Sequence, residues 1–256
     1  MTNSYDTSDI GASNQAEQYR HSAEQGNAEA QFNLGKCYET GEGVEKDPRQ
    51  AAMWYRRAAE QGHATAQNNL GCCYESGEGL EKDLQQAAMW YRKAAEQGYD
   101  KAQYNLACCY TTGKGGEKDL QQAAAWCRKA AEQGLAEAQN NLGVCYDEGE
   151  CGGKDLQQAA DWYRRAAEQG YAKAQNNLGY CYENGEGVEK NLQQAVMWYR
   201  KAAEQGLASA QYNLACCYAT GEGVEEDMTK AAMWWRKAAE QGHTKAKFNL
   251  SLCRRR

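Results

Sequence analysis

The sequence predicts an all-α fold, an α-solenoid of antiparallel helix pairs. Two recurring strings support this prediction. The string AQNNLGC at Ala66 to Cys72 returns in related form every 36 residues, and the string AEQG returns in the same frame. A fixed period of this length indicates a repeat architecture, in which each unit buries its apolar face against its neighbours. The AEQG strings end at Gly26, Gly62, Gly98, Gly134, Gly170, Gly206 and Gly242.

The repeat frame also sets the boundaries of one predicted solenoid domain, residues 14–256. A half-repeat at each end is predicted to cap it, because polar residues replace core aromatic residues there. Residues 1–13 are predicted to be disordered. The predicted segments are the caps 14–26 and 243–256 and the full repeats 27–62, 63–98, 99–134, 135–170, 171–206 and 207–242.

Each repeat is predicted to begin with a helix. Positions are numbered 1 to 36 from His63 to Gly98, and correspondingly in the other repeats. Ala66, Leu70 and Tyr74 fall on one face at helical spacing and should pack against the neighbouring repeat. Gly71 lies beside this face, which indicates a close approach of another helix. We assign Ala66, Gln67, Leu70 and Gly71 to the scaffold, and expect the helix to end at Gly77.

A second helix is predicted to begin at Asp83, whose carboxylate can accept hydrogen bonds from the first turn. Ala87, Trp90 and Tyr91 form its apolar face, and Gly98 ends it. Helices of about a dozen residues are marginal in isolation. Stacking of repeats is therefore needed to stabilise either helix.

Composition and motifs exclude several functions. The net charge of −6 argues against nucleic-acid binding, which needs concentrated Lys and Arg. No apolar run approaches the length of a membrane span, and no secretory signal is visible. We therefore expect a cytoplasmic monomer that is not inserted in a membrane, or one delivered into a host cell by a route without a signal. No phosphate loop, nucleophile motif or cofactor motif is present, so neither a cofactor nor an enzymatic activity is expected.

The repeat pattern A-x-A-x-x-x-L-G-x-x-Y, followed by a Gly-rich loop and A-x-x-W-Y-x-x-A-A-E-Q-G, resembles the Sel1-like repeat, a relative of the tetratricopeptide repeat. The resemblance covers residues 14–253. It implies a right-handed superhelix whose first helices line a concave groove. It also implies an adaptor or scaffold that binds a protein or peptide. The carboxylate clamp of chaperone-binding relatives is not expected, because position 6 carries no Lys or Arg.

Positions 3, 6 and 10 vary between repeats and share one helical stripe with position 13. By similarity to tetratricopeptide repeats, this groove stripe faces the partner. Acids at position 13, Glu39, Glu75, Asp147 and Glu183, indicate a preference for basic or neutral ligands. The predicted partner-binding residues on the stripe are Lys101 and Lys173 at position 3, Phe32, Asn68, Tyr104, Asn140, Asn176, Tyr212 and Phe248 at position 6, and Tyr180 at position 10.

Position 7 is asparagine in every copy. One hypothesis is that this ladder hydrogen-bonds the backbone of a bound peptide. The other is that each amide bonds to the neighbouring helix, and both can hold together. The residues are Asn33, Asn69, Asn105, Asn141, Asn177, Asn213 and Asn249.

Most of the twelve cysteines are predicted to be core filler at position 11. No disulfide is expected, because position-11 cysteines of adjacent repeats should lie roughly 10 Å apart. Secreted cysteine-rich relatives pair cysteines at places that hold other residues here, which implies a reducing compartment. No ligand spacing indicates a metal site. Cys127 and Cys151 are read as drift, and Cys72, Cys108 and Cys216 are the candidate reactive thiols.

The leading hypothesis is therefore a non-enzymatic protein-binding scaffold. The alternative is a thiol-based redox or metal-handling protein that uses its cysteines.

Overall fold

A computed structural model of the protein describes the backbone of residues 7–253 and the side chains of residues 11–252. Within these residues every regular element is an α-helix, which confirms the predicted fold class. The helices are α1 (Thr7–Glu24), α2 (Ala28–Thr40), α3 (Pro48–Glu60), α4 (Ala64–Ser76), α5 (Leu84–Glu96), α6 (Asp100–Thr112), α7 (Leu120–Glu132), α8 (Ala136–Glu148), α9 (Leu156–Glu168), α10 (Ala172–Asn184), α11 (Leu192–Glu204), α12 (Ala208–Thr220), α13 (Met228–Glu240) and α14 (Thr244–Cys253).

The helices fall into two compact units, a first unit up to Ala130 and a second unit from Ala131. In the first unit α1 to α6 pack in sequence order, each on the next, and in the second unit α8 to α14 do the same. This order of contacts is that of an α-solenoid. A single domain over residues 14–256 and a right-handed superhelix stay predictions. None of the described helices has the length and apolarity needed to cross a membrane.

The second helix of each repeat begins as predicted. Asp83 Oδ1 accepts hydrogen bonds from the backbone N–H groups of Gln85 (2.9 Å) and Gln86 (3.0 Å). These bonds satisfy donors that the first turn of a helix leaves free. The equivalent caps are Asp47, Asp119, Asp155, Asn191 and Asp227.

The core lies between consecutive helices. Leu70 is fully buried and Tyr91 is 1% exposed. A Cβ on Gly71 would lie 2.6 Å from the Tyr91 ring, so the predicted packing constraint at position 9 is confirmed. The position-11 cysteines that are buried as core filler are Cys37, Cys109, Cys181 and Cys217.

The prediction of a disordered N-terminus is wrong for residues 7–13, which belong to α1. Residues 12–24 occupy the frame of a complete second helix, and Ala16 is 1% exposed. The carbonyl of Ala12 also packs against Gly43 in the loop after α2. The N-terminal cap is therefore longer than polarity alone indicated. Gln18 is exposed, as a cap residue should be, whereas residues 1–6 and Arg254 lie outside the described residues.

Candidate functional site

A buried glutamine at position 5 joins adjacent repeats. Gln67 Nε2 donates to the carbonyl of Ala59 (3.0 Å), and Gln67 Oε1 accepts from Gln97 Nε2 (2.6 Å). Gln67 is 4% exposed, so this polar group is buried and bonded. The sequence indicated a scaffold role for Gln67 but not its partners. The glutamines buried at position 5 are Gln31, Gln67, Gln103, Gln139, Gln175 and Gln211.

At three repeats the position-7 asparagine bonds to the preceding repeat. Asn105 Nδ2 donates to Asn68 Oδ1 (3.0 Å), and Asn213 Nδ2 donates to Asn176 Oδ1 (3.0 Å). Asn177 and Asn140 form the same bond at 3.1 Å. For Asn105, Asn177 and Asn213 the structure therefore supports the structural hypothesis. The sequence reasoning missed that positions 6 and 7 are partners.

Two of the predicted groove residues at position 6 are not accessible. Asn68 and Asn140 are each 5% exposed, and the position-7 amide of the next repeat donates to each of them. Their placement on an open groove stripe is corrected accordingly. Asn176 is half-buried.

Aromatic residues at position 6 stack on a histidine that begins the following repeat. Phe32 lies 4.8 Å from the ring of His63, and Tyr212 lies 4.6 Å from the ring of His243. Each histidine also caps a helix, since its Nδ1 accepts from the N–H of Ala66 or Ala246. The sequence indicated neither a metal-ligand spacing nor a capping role for these histidines.

Other residues of the groove stripe remain open to solvent. Tyr180 is 48% exposed, and Lys173 is exposed two helical turns before it on α10. Lys101 is exposed on α6, and Phe248 is 62% exposed on α14. Tyr104 is half-buried on α6. Among the predicted partner-binding residues of the stripe, the exposed ones are thus Lys101, Lys173, Tyr180 and Phe248.

The acids at position 13 have partners inside the protein. The hydroxyls of Tyr55, Tyr91 and Tyr199, at position 29, donate to carboxylate oxygens of position-13 glutamates. The pairs are Tyr55 to Glu39 (2.7 Å), Tyr91 to Glu75 (2.9 Å) and Tyr199 to Glu183 (2.6 Å). Burial first, and then the carboxylate, raises the pKa of Tyr55 and of Tyr199 well above its usual range. These three carboxylates stabilise the scaffold, which weakens the predicted preference for basic ligands.

Positions 13 and 29 change together along the chain. Repeats with Tyr at position 29 carry Glu or Asp at position 13. Repeat 99–134 instead pairs Thr111 with Cys127, and repeat 207–242 pairs Ala219 with Trp235. The buried Cys127 therefore belongs to a coordinated change, and its interpretation as drift is not supported.

Burial of the thiol groups works against the candidate reactive thiols, although the Cys72 residue as a whole is exposed and Cys108 and Cys216 are half-buried. It raises the pKa of Cys72, Cys108 and Cys216, and it is the largest influence on each of them. The thiolate is the nucleophilic form, so a raised pKa lowers reactivity at neutral pH. Their selection as the most reactive thiols stays a prediction.

The expectation that all cysteines are reduced is wrong for one pair. Cys145 and Cys151 form a disulfide, with their Cα atoms 5.4 Å apart. The distance argument considered cysteines of adjacent repeats, whereas this pair lies within one repeat. Helix α8 ends at Glu148 with Gly149 as its C-cap, and the chain folds back, which brings position 17 close to position 11. Cys151 is therefore a disulfide partner and not drift.

We expect this disulfide to stabilise the second unit. Closing a loop with a sequence separation of 6 restricts the unfolded chain and contributes about 2 kcal/mol. Reduction of the wild type should lower the free energy of unfolding by that amount, measured by urea titration with and without reductant. The Cys151→Ser variant should start at the lower value and not respond. An equal response to reductant in both proteins would contradict the prediction.

Within the described part of the chain, no group of three or more His, Cys, Asp or Glu residues is arranged to hold a metal ion.

Known proteins share this architecture and sequence pattern. The Sel1 repeat matches residues 28–63, 64–99, 100–135, 136–171, 172–207 and 208–243. A protective antigen of uropathogenic Escherichia coli with an SLR fold is 43% identical, with a TM-score of 0.85, over 92% of this chain and 50% of its own. The chain thus spans half the length of that relative. No curated protein sequence matches.

Two further solved structures are similar. A Sel1 repeat protein from Oxalobacter formigenes is 39% identical, with a TM-score of 0.77, over 84% of this chain and 86% of its own. An immunity protein from Pseudomonas aeruginosa, 24% identical with a TM-score of 0.52 over 83% of this chain and 81% of its own, shares the fold alone. On the six matched segments and the identity to the first two relatives, the chain belongs to the Sel1 repeat family.

Proposed function

We propose that this chain is a non-enzymatic scaffold that binds a protein partner along the groove stripe of its first helices. The partner would lie there as an extended peptide, a helix or a protein surface. Sel1 repeat proteins are generally protein-interaction scaffolds, and the family is typically non-enzymatic. The binding surface and the type of partner are the steps that go beyond the family.

One observation carries the proposal. The polar side chains that recur unchanged, such as Gln175 and Asn177, hydrogen-bond within the scaffold. The positions that change between repeats include exposed side chains such as Tyr180 and Lys173. A scaffold keeps the residues that hold its repeats together and varies those that contact a partner.

A double substitution on α10 tests this surface. Tyr180→Ala with Lys173→Ala removes an exposed aromatic residue and an exposed charge without touching the core. We expect binding to weaken by about tenfold or more, because exposed aromatic residues often dominate interfaces. The partner would be captured from lysate of the source organism, identified by mass spectrometry, and its affinity measured with purified protein.

The matched control is Lys190→Ala with Met228→Ala, which removes an exposed lysine and an exposed apolar residue outside the first helices. This control should bind as the wild type does, and both variants should keep wild-type helical content. Equal binding by the groove variant and the wild type would refute the proposed surface.

A thiol-based function is the second candidate, and the Cys145–Cys151 disulfide is the observation in its favour. Mass spectrometry of the native protein, which counts reactive thiols and bound metal, distinguishes the thiol-based function from the scaffold function. Stoichiometric metal, or a thiol that cycles between oxidation states, would favour this candidate over the scaffold.

A further inference from the structure

The last full repeat has a buried donor without a strong acceptor. Trp235, at position 29 on α13, is 6% exposed, and its Nε1 makes no hydrogen bond of standard geometry within the described residues. An unpaired buried donor costs about 1–3 kcal/mol, so native proteins rarely keep one without a reason.

The missing acceptor follows from the sequence change at position 13. One repeat earlier, the Tyr199 hydroxyl donates to Glu183 at 2.6 Å. In repeat 207–242 the residue at position 13 is Ala219, which is half-buried and ends at Cβ. Helix α12 therefore has no side chain at the place where a position-13 glutamate would accept from the residue at position 29.

Two hydrogen-bond donors and one lysine lie around the thiol of Cys216 at this place. Trp235 Nε1 faces the thiol of Cys216, a weak acceptor, and the Tyr212 hydroxyl contacts the same thiol. Burial raises the pKa of Cys216, while Tyr212, Trp235 and the charge of Lys245 oppose the rise. The charge of Glu183 adds to the rise in the pKa of Cys216, and the carboxylate of Glu183 already accepts a hydrogen bond from Tyr199.

We propose that repeat 207–242 carries a carboxylate subsite of the groove, in which a carboxylate of the bound partner takes the place of the missing position-13 side chain and accepts from Trp235 Nε1. Lys245, exposed on α14 at repeat position 3, supplies a positive charge that acts on the neighbouring Cys216. The subsite rests on the proposed binding function and identifies the partner's chemistry. It differs from a clamp of basic residues, because its main donor is an indole.

Access to the subsite depends on Cys216. Its half-exposed side chain contacts Trp235 Nε1, so a ligand carboxylate must displace this contact. A Cys216→Ala variant removes this competing contact and should bind a carboxylate more tightly than the wild type.

The carboxylate has two sources, the end of a chain or an acidic side chain. Two probe peptides distinguish them, each a five-residue Ala/Gly chain with an acetylated N-terminus. One has a free C-terminus, and the other has an amidated C-terminus and one internal Glu. A fully neutral peptide, amidated and without Glu, is the reference. The readout is the indole N–H resonance of Trp235 in ¹⁵N-labelled protein, assigned with Trp235→Phe.

We expect at least one charged peptide to move the Trp235 resonance downfield, while the neutral peptide does not. The matched variant Ala219→Glu supplies an internal carboxylate. Its indole resonance should already be shifted without peptide, and its affinity for the charged peptide should fall about tenfold, the loss of a hydrogen bond to a charged group.

Three results would overturn the subsite. The first is no shift with either charged peptide, and the second is undiminished affinity in Ala219→Glu. The third is a large shift in Cys216→Ala with no response to peptides, which would make the thiol the partner of the indole. The Tyr180/Lys173 variant tests the groove separately. If it loses the partner while the subsite tests fail, the proposed function stands and the subsite falls.

Discussion

Replacing Gly187 by alanine should lower the free energy of unfolding of the second unit by about 3 kcal/mol. Gly187 has a φ of 69°, a left-handed conformation that costs other residues about 1–2 kcal/mol. A Cβ there would also overlap the carbonyl group of Leu156 at the start of α9. Because backbone cannot turn away as a side chain can, overpacking adds about 1–3 kcal/mol.

Gly170→Ala is the matched control for this prediction. Its φ is 93°, but a Cβ there would meet nothing within 4 Å. Only the conformational cost of about 1 kcal/mol should remain. Urea unfolding of both variants gives the comparison, and equal destabilisation would show that the close contact with Leu156 is not a constraint.

The helices could be predicted from the sequence because the same capping and helix-ending residues recur in each repeat. Cap residues such as Asp83 and helix-ending glycines such as Gly77 act through neighbouring residues, so their role depends little on the rest of the fold. The burial of Leu70 and Tyr91 also follows from spacing alone. Local chemistry is thus predictable from one repeat.

Contacts between repeats were harder to predict. Asn105 and Asn68 lie 37 positions apart, and the sequence does not indicate that their amides meet. The correlated change of positions 13 and 29 can be read from the sequence, as in Glu183 with Tyr199 and Ala219 with Trp235. The reason for the correlation is the 2.6 Å hydrogen bond between the Tyr199 hydroxyl and Glu183, which only the structure shows.

The disulfide shows a different limit. The sequence marked Cys151 as a departure from the repeat, and a departure was read as drift. Its partner Cys145 looked like any other position-11 core cysteine. Only the path of the loop after Gly149 brings the two together, and loop paths depend on backbone angles that a consensus pattern does not give. Residues that depart from the repeat pattern are therefore those whose role is hardest to predict without the structure.

Replacing Leu178 by alanine should destabilise the second unit by about 3 kcal/mol. Leu178 lies on α10 at repeat position 8 and is fully buried, so the change removes apolar contacts and leaves a cavity. The matched control is Leu252→Ala on α14, where the side chain is 48% exposed and little should be lost. Urea unfolding measures both.

The location of the Leu178→Ala effect is as informative as its size. In a solenoid each repeat contacts only its neighbours, so a cavity in α10 should weaken mainly the elements packed against it. Amide hydrogen exchange should therefore accelerate in α9, α10 and α11, while α2 to α5 keep their protection. A uniform loss of protection along the chain would instead show one cooperative unit, and stability in this protein could not then be treated as a sum over neighbouring repeats.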